Sequence, residues 1–211
     1  MKIKVCGVTN CNDIHALTAM NIDFMGFIFY EKSPRYALQH LSLNSIKAIT
    51  TTKKVGVFVN EKTENIVQIV QEASLDMIQL HGDENDVQIQ QLSKTFEGKI
   101  DLIKAVRIGK QTTAVLQHQI NSLPEGISAI LFDTDSENYG GTGKAFSWQI
   151  LDQLEITKPY FLSGGISLEN HKYYKCLVNQ PFALDVNSKF ELSPGKKNLS
   201  ALEILIENLN K

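Results

Sequence analysis

Apolar residues gather in eight short runs along the chain. They are KIKVC (2–6), FMGFIF (24–29), KVGVFV (54–59), MIQL (77–80), DLIKAV (101–106), AILF (129–132), YFLS (160–163) and FALDV (182–186). Their length and bounding residues predict strands, and their spacing of roughly 20–30 residues is that of βα units. Between them the apolar spacing predicts helices over about 11–20, 43–51, 63–73, 84–95, 111–119, 148–154, 168–176 and 198–209. The segment 63–73 carries Ile66, Ile69, Val70 and Ala73 on one helical face, with Thr63 as its N-cap; the last helix repeats the pattern with Leu202, Leu205, Ile206 and Leu209. Eight alternating pairs predict an α/β chain folded as one (β/α)8 TIM barrel over residues 1–211. An open doubly wound sheet is the runner-up.

Barrels of this kind carry their active sites at the C-terminal ends of the strands. Those ends read Cys6, Tyr30, Asn60, His81, Arg107, Asp133, then Ser163 with Gly164 and Gly165, and Asp185 with Asn187 and Ser188. Two long loops, 30–42 and 133–147, lie on the same rim.

Composition narrows the partners. With 43% hydrophobic residues the 211-residue chain has material for a large core, and its net charge of −2, without a basic or acidic tail, gives no global attraction to nucleic acid or anionic lipid. An anionic ligand must therefore be held by local groups. Cys6, Cys11 and Cys176 show no paired spacing for disulfides or zinc. The first residues have no apolar core of signal-peptide length, and no run reaches the ~18 apolar residues of a membrane span. The expectation is a soluble cytoplasmic protein.

The stretch YGGTGKAF (139–146) resembles a phosphate loop but fails it: Asn138 stands where the first glycine belongs, and Ala145 follows the lysine where a hydroxyl should bind Mg²⁺. A phosphate has a better place in LSGGIS (162–167) and DVNSKFE (185–191), because the loops after strands seven and eight form the phosphate site of many barrels. Gly164 and Gly165 let backbone N–H groups approach an oxyanion, and a following helix N-terminus adds positive charge. The same pair also fits a simple tight turn.

At this point the chain resembles the phosphoribosylanthranilate isomerases of tryptophan biosynthesis. The resemblance rests on KVCGVT, FMGFIFYEKSPR, VGVFVN, IQLHGDE, FDTDSENYGGTGKAFSW, LSGGISLEN and ALDVNSKFELSPGKKN, in that order. It implies a barrel using no metal and no organic cofactor. The implied reaction is an Amadori rearrangement of N-(5-phosphoribosyl)anthranilate to the 1-deoxyribulose 5-phosphate. The implied partner is that small phosphosugar, with no nucleic acid or membrane, in a monomer or homodimer. Cys6 matches the general base and Asp133 the general acid. Arg35 matches the arginine that meets the anthranilate carboxylate. Gly164, Gly165, Asp185, Asn187 and Ser188 match the phosphate positions. The chain departs from the usual pattern at Asn10, Ala145, Ser147, Asn187, Lys189 and Asn198. Asn187 and Lys189 bear on the phosphate contacts.

The chemistry needs such a pair: an acid to protonate the ring oxygen and a base to take the C2′ proton. A thiol is a weak base until ionised, and Lys4, on the same strand face as Cys6, favours the thiolate. Each residue has a plainer reading too. Cys6 fits a buried apolar filler, Asp133 a helix cap and Arg35 a surface ion pair. His81 and Arg107 fit positioning or core hydrogen bonds. Asp135 and Glu137 read as solvated loop charge, and Cys11 and Cys176 as structural. The glycines of 139–146 fit a mobile loop beside the acid. The rivals are another phosphosugar-processing barrel of tryptophan or histidine biosynthesis, whose sugar isomerases have an aspartate where Cys6 stands, and a non-catalytic binding barrel.

Overall fold

Period-two alternation decides which side chains fill the barrel and which meet the helices. In the structure, a computed structural model that describes residues 1–134 and 146–210, the eight runs are eight parallel strands. They are β1 (Lys2–Val5), β2 (Phe24–Ile28), β3 (Lys53–Phe58), β4 (Met77–Leu80), β5 (Asp101–Ile108), β6 (Ala129–Thr134), β7 (Tyr160–Leu162) and β8 (Ala183–Val186). They pair in sequence order, and β1 closes onto β8 with Lys4 opposite Asp185 and Val5 opposite Val186.

Two buried clusters follow from the alternation. Phe24, Val55, Met77, Ile103, Leu131 and Phe161 belong to the one filling the barrel interior. Their strand neighbours Met25, Ile78, Leu102, Ile130 and Leu162 belong to the larger layer under the helices. Phe24 and Phe161 meet edge-on with centroids 5.4 Å apart, a favourable aromatic geometry that plugs the barrel floor. Toward the C-terminal ends the inward positions turn polar: Lys4, Gln79, His81, Asp133 and Asp185.

The α-helices are α1 (Cys11–Ala19), α2 (Leu43–Lys47), α3 (Thr63–Ala73), α4 (Asp86–Phe96), α5 (Thr113–Asn121) and α6 (Leu199–Leu209). In α3 the N-cap is Lys62 and not Thr63, which is already the first helical residue. In α6 Leu202, Leu205 and Leu209 are buried, and Asn198 caps the helix by accepting from the Ala201 N–H.

The sixth and seventh expected helices are instead 3-10 turns, Trp148–Gln153 and His171–Cys176. Neither has a side-chain cap. Asn170, at the start of the second, accepts from the Ser167 N–H and donates to the Gly165 carbonyl. Its amide is thus committed to the turn and cannot nucleate a helix. One element goes beyond the sequence pattern. After β8 the chain makes a hairpin of β9 (Glu191–Ser193) and β10 (Lys196–Lys197), turned at Pro194–Gly195 with Gly195 at φ +82°. Proline followed by a left-handed glycine is the signature of a type II turn.

Candidate active site

Cys6 continues β1 by one residue, its N–H donating to the Val186 carbonyl at 2.9 Å. Its thiol is buried. Glycine at position 26 makes room for it, because a Cβ there would sit 2.9 Å from Cys6 Sγ. Beneath the thiol lies Lys4, fully buried, with its Nζ 3.0 Å from Asp185 Oδ1. Burial pushes the Cys6 thiol up; the charge and hydrogen bond of Lys4 pull it down, and Asp185 pushes it up again. Lys4 therefore acts in the expected direction, but the balance leaves a neutral thiol. The same burial raises the Asp185 carboxyl against the pull of Lys4, and Asp133 raises it further.

Asp133, the last residue but one of β6, lies beside His81, which directly follows β4; His81 Nε2 is 3.3 Å from Asp133 Oδ2. Gln79, two residues before His81 on the same face, contacts His81 Nδ1 through its amide nitrogen at 2.8 Å. An Nδ1 that accepts this bond leaves the ring proton on Nε2, facing Asp133. The Thr134 N–H donates to Asp133 Oδ1 at 2.8 Å. Burial works to raise the Asp133 carboxyl, but the hydrogen bond and pull of His81, the Thr134 N–H and the Ser163 hydroxyl outweigh it, so it lies below its ordinary value. Asp133 is a carboxylate held by donors.

Gly164 and Gly165 both adopt left-handed backbone, at φ +83° and +72°. A Cβ on Gly164 would fall 2.5 Å from Thr134 Oγ1, so the turn after β7 is pressed against the residue following Asp133. The expected helix dipole is largely missing behind it, since a six-residue 3-10 turn follows at His171. Asn187 Oδ1 accepts from Lys197 Nζ at 3.0 Å. Arg35, nearly buried, is bound by a carboxylate of its own chain: Nε lies 3.0 and 2.9 Å from the two oxygens of Glu191, and Nη2 lies 2.7 Å from Oε2. Gly7, at φ +72°, lets the Arg35 stem pass beside Cys6, for a Cβ there would be 2.8 Å from Arg35 Cδ.

Residues 3–208 match the family model of N-(5'-phosphoribosyl)anthranilate (PRA) isomerase. The chain belongs to the PRA isomerase family. The enzyme of that name from Aquifex aeolicus is 39% identical over 211 residues, covering 98% of this chain and 97% of that one. The crystal structure of phosphoribosyl anthranilate isomerase from Thermus thermophilus superposes with a TM-score of 0.83 at 26% identity, over 100% of this chain and 98% of that one. A phosphoribosyl anthranilate isomerase in complex with reduced 1-(o-carboxyphenylamino)-1-deoxyribulose 5-phosphate matches at TM-score 0.78 and 29% identity, over 100% and 98%.

In this PRA isomerase barrel Cys6, Asp133, Asp185 and His81 share the mouth. Asp185, expected among the phosphate residues, lies under Cys6 in the ion pair with Lys4. Its carboxylate is thereby engaged by Lys4 and acts on the Cys6 thiol, which it pushes up. Arg107 pairs with Asp83. Cys11 and Cys176 are exposed and so do not serve the core. The loop 139–146, with Asp135 and Glu137, falls outside the described residues apart from Phe146. Sequence reasoning gave no role to Glu191 and Lys197. The SPG turn between them was the available signal, because it folds both back onto the barrel mouth. Among the described residues no helix is long and apolar enough to cross a membrane.

Proposed function

We propose that the chain isomerises N-(5'-phosphoribosyl)anthranilate to 1-(o-carboxyphenylamino)-1-deoxyribulose 5-phosphate, with Asp133 as acid and Cys6 as base. The observation that carries this is the pairing, at one barrel mouth, of a buried thiol on β1 with a donor-held carboxylate on β6. With the one proton of the pair on Asp133 and Cys6 a thiolate, Asp133 gives that proton to the ring oxygen, the ring opens, and C1′ becomes a protonated Schiff base. Cys6 takes the C2′ proton, giving an enolamine. The enol proton then returns to C1′ and the C2′ ketone forms. Two positioned groups suffice, each contributing about 10²–10⁴-fold.

The Gly164–Gly165 turn, with Asn187 and Ser188 after β8, is the proposed seat of the 5-phosphate. Two consecutive glycines at positive φ support this, because without a Cβ their backbone can approach an oxyanion closely. Arg35 is the proposed partner of the anthranilate carboxylate. Three cysteines without paired spacing fit a reducing compartment, the cytoplasm.

The test is the fall in anthranilate-type fluorescence when the purified protein meets freshly made phosphoribosylanthranilate. A signal no faster than the uncatalysed decay would overturn the function.

A further inference from the structure

Arg35 is held by a network that reaches the Cys6 backbone. Glu191, whose side chain is 3% exposed, grips the Nε–Nη2 edge of the guanidinium. Its Oε1 also accepts from Lys197 Nζ at 2.9 Å and from the Gly195 N–H at 3.1 Å. Lys197, fully buried, donates in turn to Asn187 Oδ1 and to the carbonyl of Cys6. One carboxylate therefore joins two cations, one beside the mouth and one under the base.

Two basic groups share the Glu191 carboxylate, and burial holds Lys197 below its ordinary value against the pull of Glu191. Burial works to raise the Glu191 carboxyl, and the Arg35 and Lys197 contacts more than reverse this, so it remains an anion. An arriving carboxylate would meet the Arg35 charge in this cluster. Arg35 offers its second edge for this, since a guanidinium has donors on more than one side of its fork. The first edge is fixed by Glu191 and the stem by Gly7, so that second edge has a defined direction.

Two roles for Glu191 differ in sign. If it competed for Arg35, substrate would have to displace it. If it holds Arg35 in place, substrate adds to the network. The bidentate grip on one edge, with the carboxylate tied separately to Lys197 and Gly195, favours holding.

We propose that Glu191 and Lys197 are positioning residues: Glu191 aims the Arg35 fork at the substrate's ring carboxylate, and Lys197 ties that aim to the position of Cys6. This rests on the reading of Arg35 as the carboxylate site. It sets specificity for a carboxylated aromatic amine over a plain one.

The experiment compares phosphoribosylanthranilate with phosphoribosylaniline, which lacks the ring carboxylate, on the full chain. Glu191→Gln should lower kcat/KM for the carboxylated substrate by about 10-fold, mostly through KM, the size of a misaimed hydrogen bond to a charged group. The aniline substrate should change by less than about twofold. Glu191→Asp keeps the charge but is too short to hold both cations. It should show the same selective loss, and it serves if Glu191→Gln does not fold by circular dichroism. Arg35→Ala should abolish the preference for the carboxylate, and adding Glu191→Gln to it should leave the preference unchanged. If Arg35→Ala keeps the preference, the Arg35 assignment fails. If Arg35→Ala loses it while the Glu191 variants keep it, or if they lower KM, the positioning role alone is overturned.

Discussion

Lys4 and Asp185 meet twice, as register partners where β1 closes onto β8 and as a buried ion pair of 3.0 Å beneath Cys6. The seam of the barrel is thus also the floor of the site. Asp185 links its two sides, because it raises the Cys6 thiol while Asp133 raises Asp185.

Breaking that pair should separate stability from activity. Lys4→Met leaves a buried carboxylate alone and should cost about 3–5 kcal/mol, read by urea denaturation. Replacing both residues, as Lys4→Met with Asp185→Leu, should restore most of that stability, since a buried pair contributes little net. It should not restore kcat, because the pull of Lys4 on the thiol exceeds the opposing push of Asp185, and both are lost while the burial remains. A double variant with wild-type kcat would remove Lys4 from the mechanism.

The proton arrangement of the free protein is that of a forward turnover after C2′ deprotonation: a neutral Cys6 and an ionised Asp133. The starting arrangement, thiolate with carboxylic acid, has the same net charge and differs by one proton moved between them. For kcat/KM the limbs then fall where the singly protonated pair is lost. The acid limb belongs to a carboxylate below its ordinary ~3.9, and the alkaline limb to a thiol above its ordinary ~8.5. Above pH 5 the remaining acid-side fall is that of the substrate's own phosphate, with its second pKa near ~6. An alkaline limb between about pH 7 and 8 would contradict this proton inventory.

Removing either group should leave the barrel folded and slow the chemistry. Asp133→Asn and Cys6→Ser should each lower kcat by at least about 10²-fold, with smaller changes in KM. Steady-state kinetics with circular dichroism read both. A folded variant with near wild-type kcat would refute its assignment.

Much of this is legible in the sequence because inward strand positions repeat every second residue. Alternation within KIKVC is enough to place Lys4 below Cys6, and the end of AILFD is enough to place Asp133 at a rim. What escapes is long-range pairing. Nothing local ties Glu191 to Arg35, 156 residues away, or Lys197 to the Cys6 carbonyl, 191 residues away. The seventh expected helix is missing where Asn170, inside its predicted span, spends its amide on the Gly165 turn, a contact that the apolar spacing does not show. The resemblance put Asp185 with the phosphate positions, and nothing local shows that its carboxylate pairs with Lys4 beneath the thiol.

His81 is expected to set the acid. Its hydrogen bond and pull are first among the influences that hold Asp133 low against burial. In His81→Ala burial would gain ground, and the Asp133 carboxyl should rise. The acid limb of kcat should then move upward relative to wild type, a comparison in which the substrate's own limb cancels. An unmoved limb would make His81 a packing residue only.

Gly26 tests how tightly the thiol is placed. Its backbone is ordinary strand, so alanine there adds no torsional strain, only a methyl group. That methyl would lie 2.9 Å from Cys6 Sγ and 3.0 Å from Cys6 Cα. The sulfur can rotate away, but the Cα belongs to a strand pinned to β8 and cannot yield cheaply. Gly26→Ala should therefore cost about 1–3 kcal/mol of stability, the usual penalty of overpacking, read from the denaturant midpoint. The functional loss should be larger than stability accounts for, because a displacement of about 1 Å at a reacting group can cost 10²-fold in rate. Phosphate and carboxylate contacts lie elsewhere, so KM should move little and the loss should appear in kcat. A Gly26→Ala protein with unchanged kcat would mean that the position of the Cys6 thiol does not limit the reaction, and the base would have to be sought in another group of the mouth.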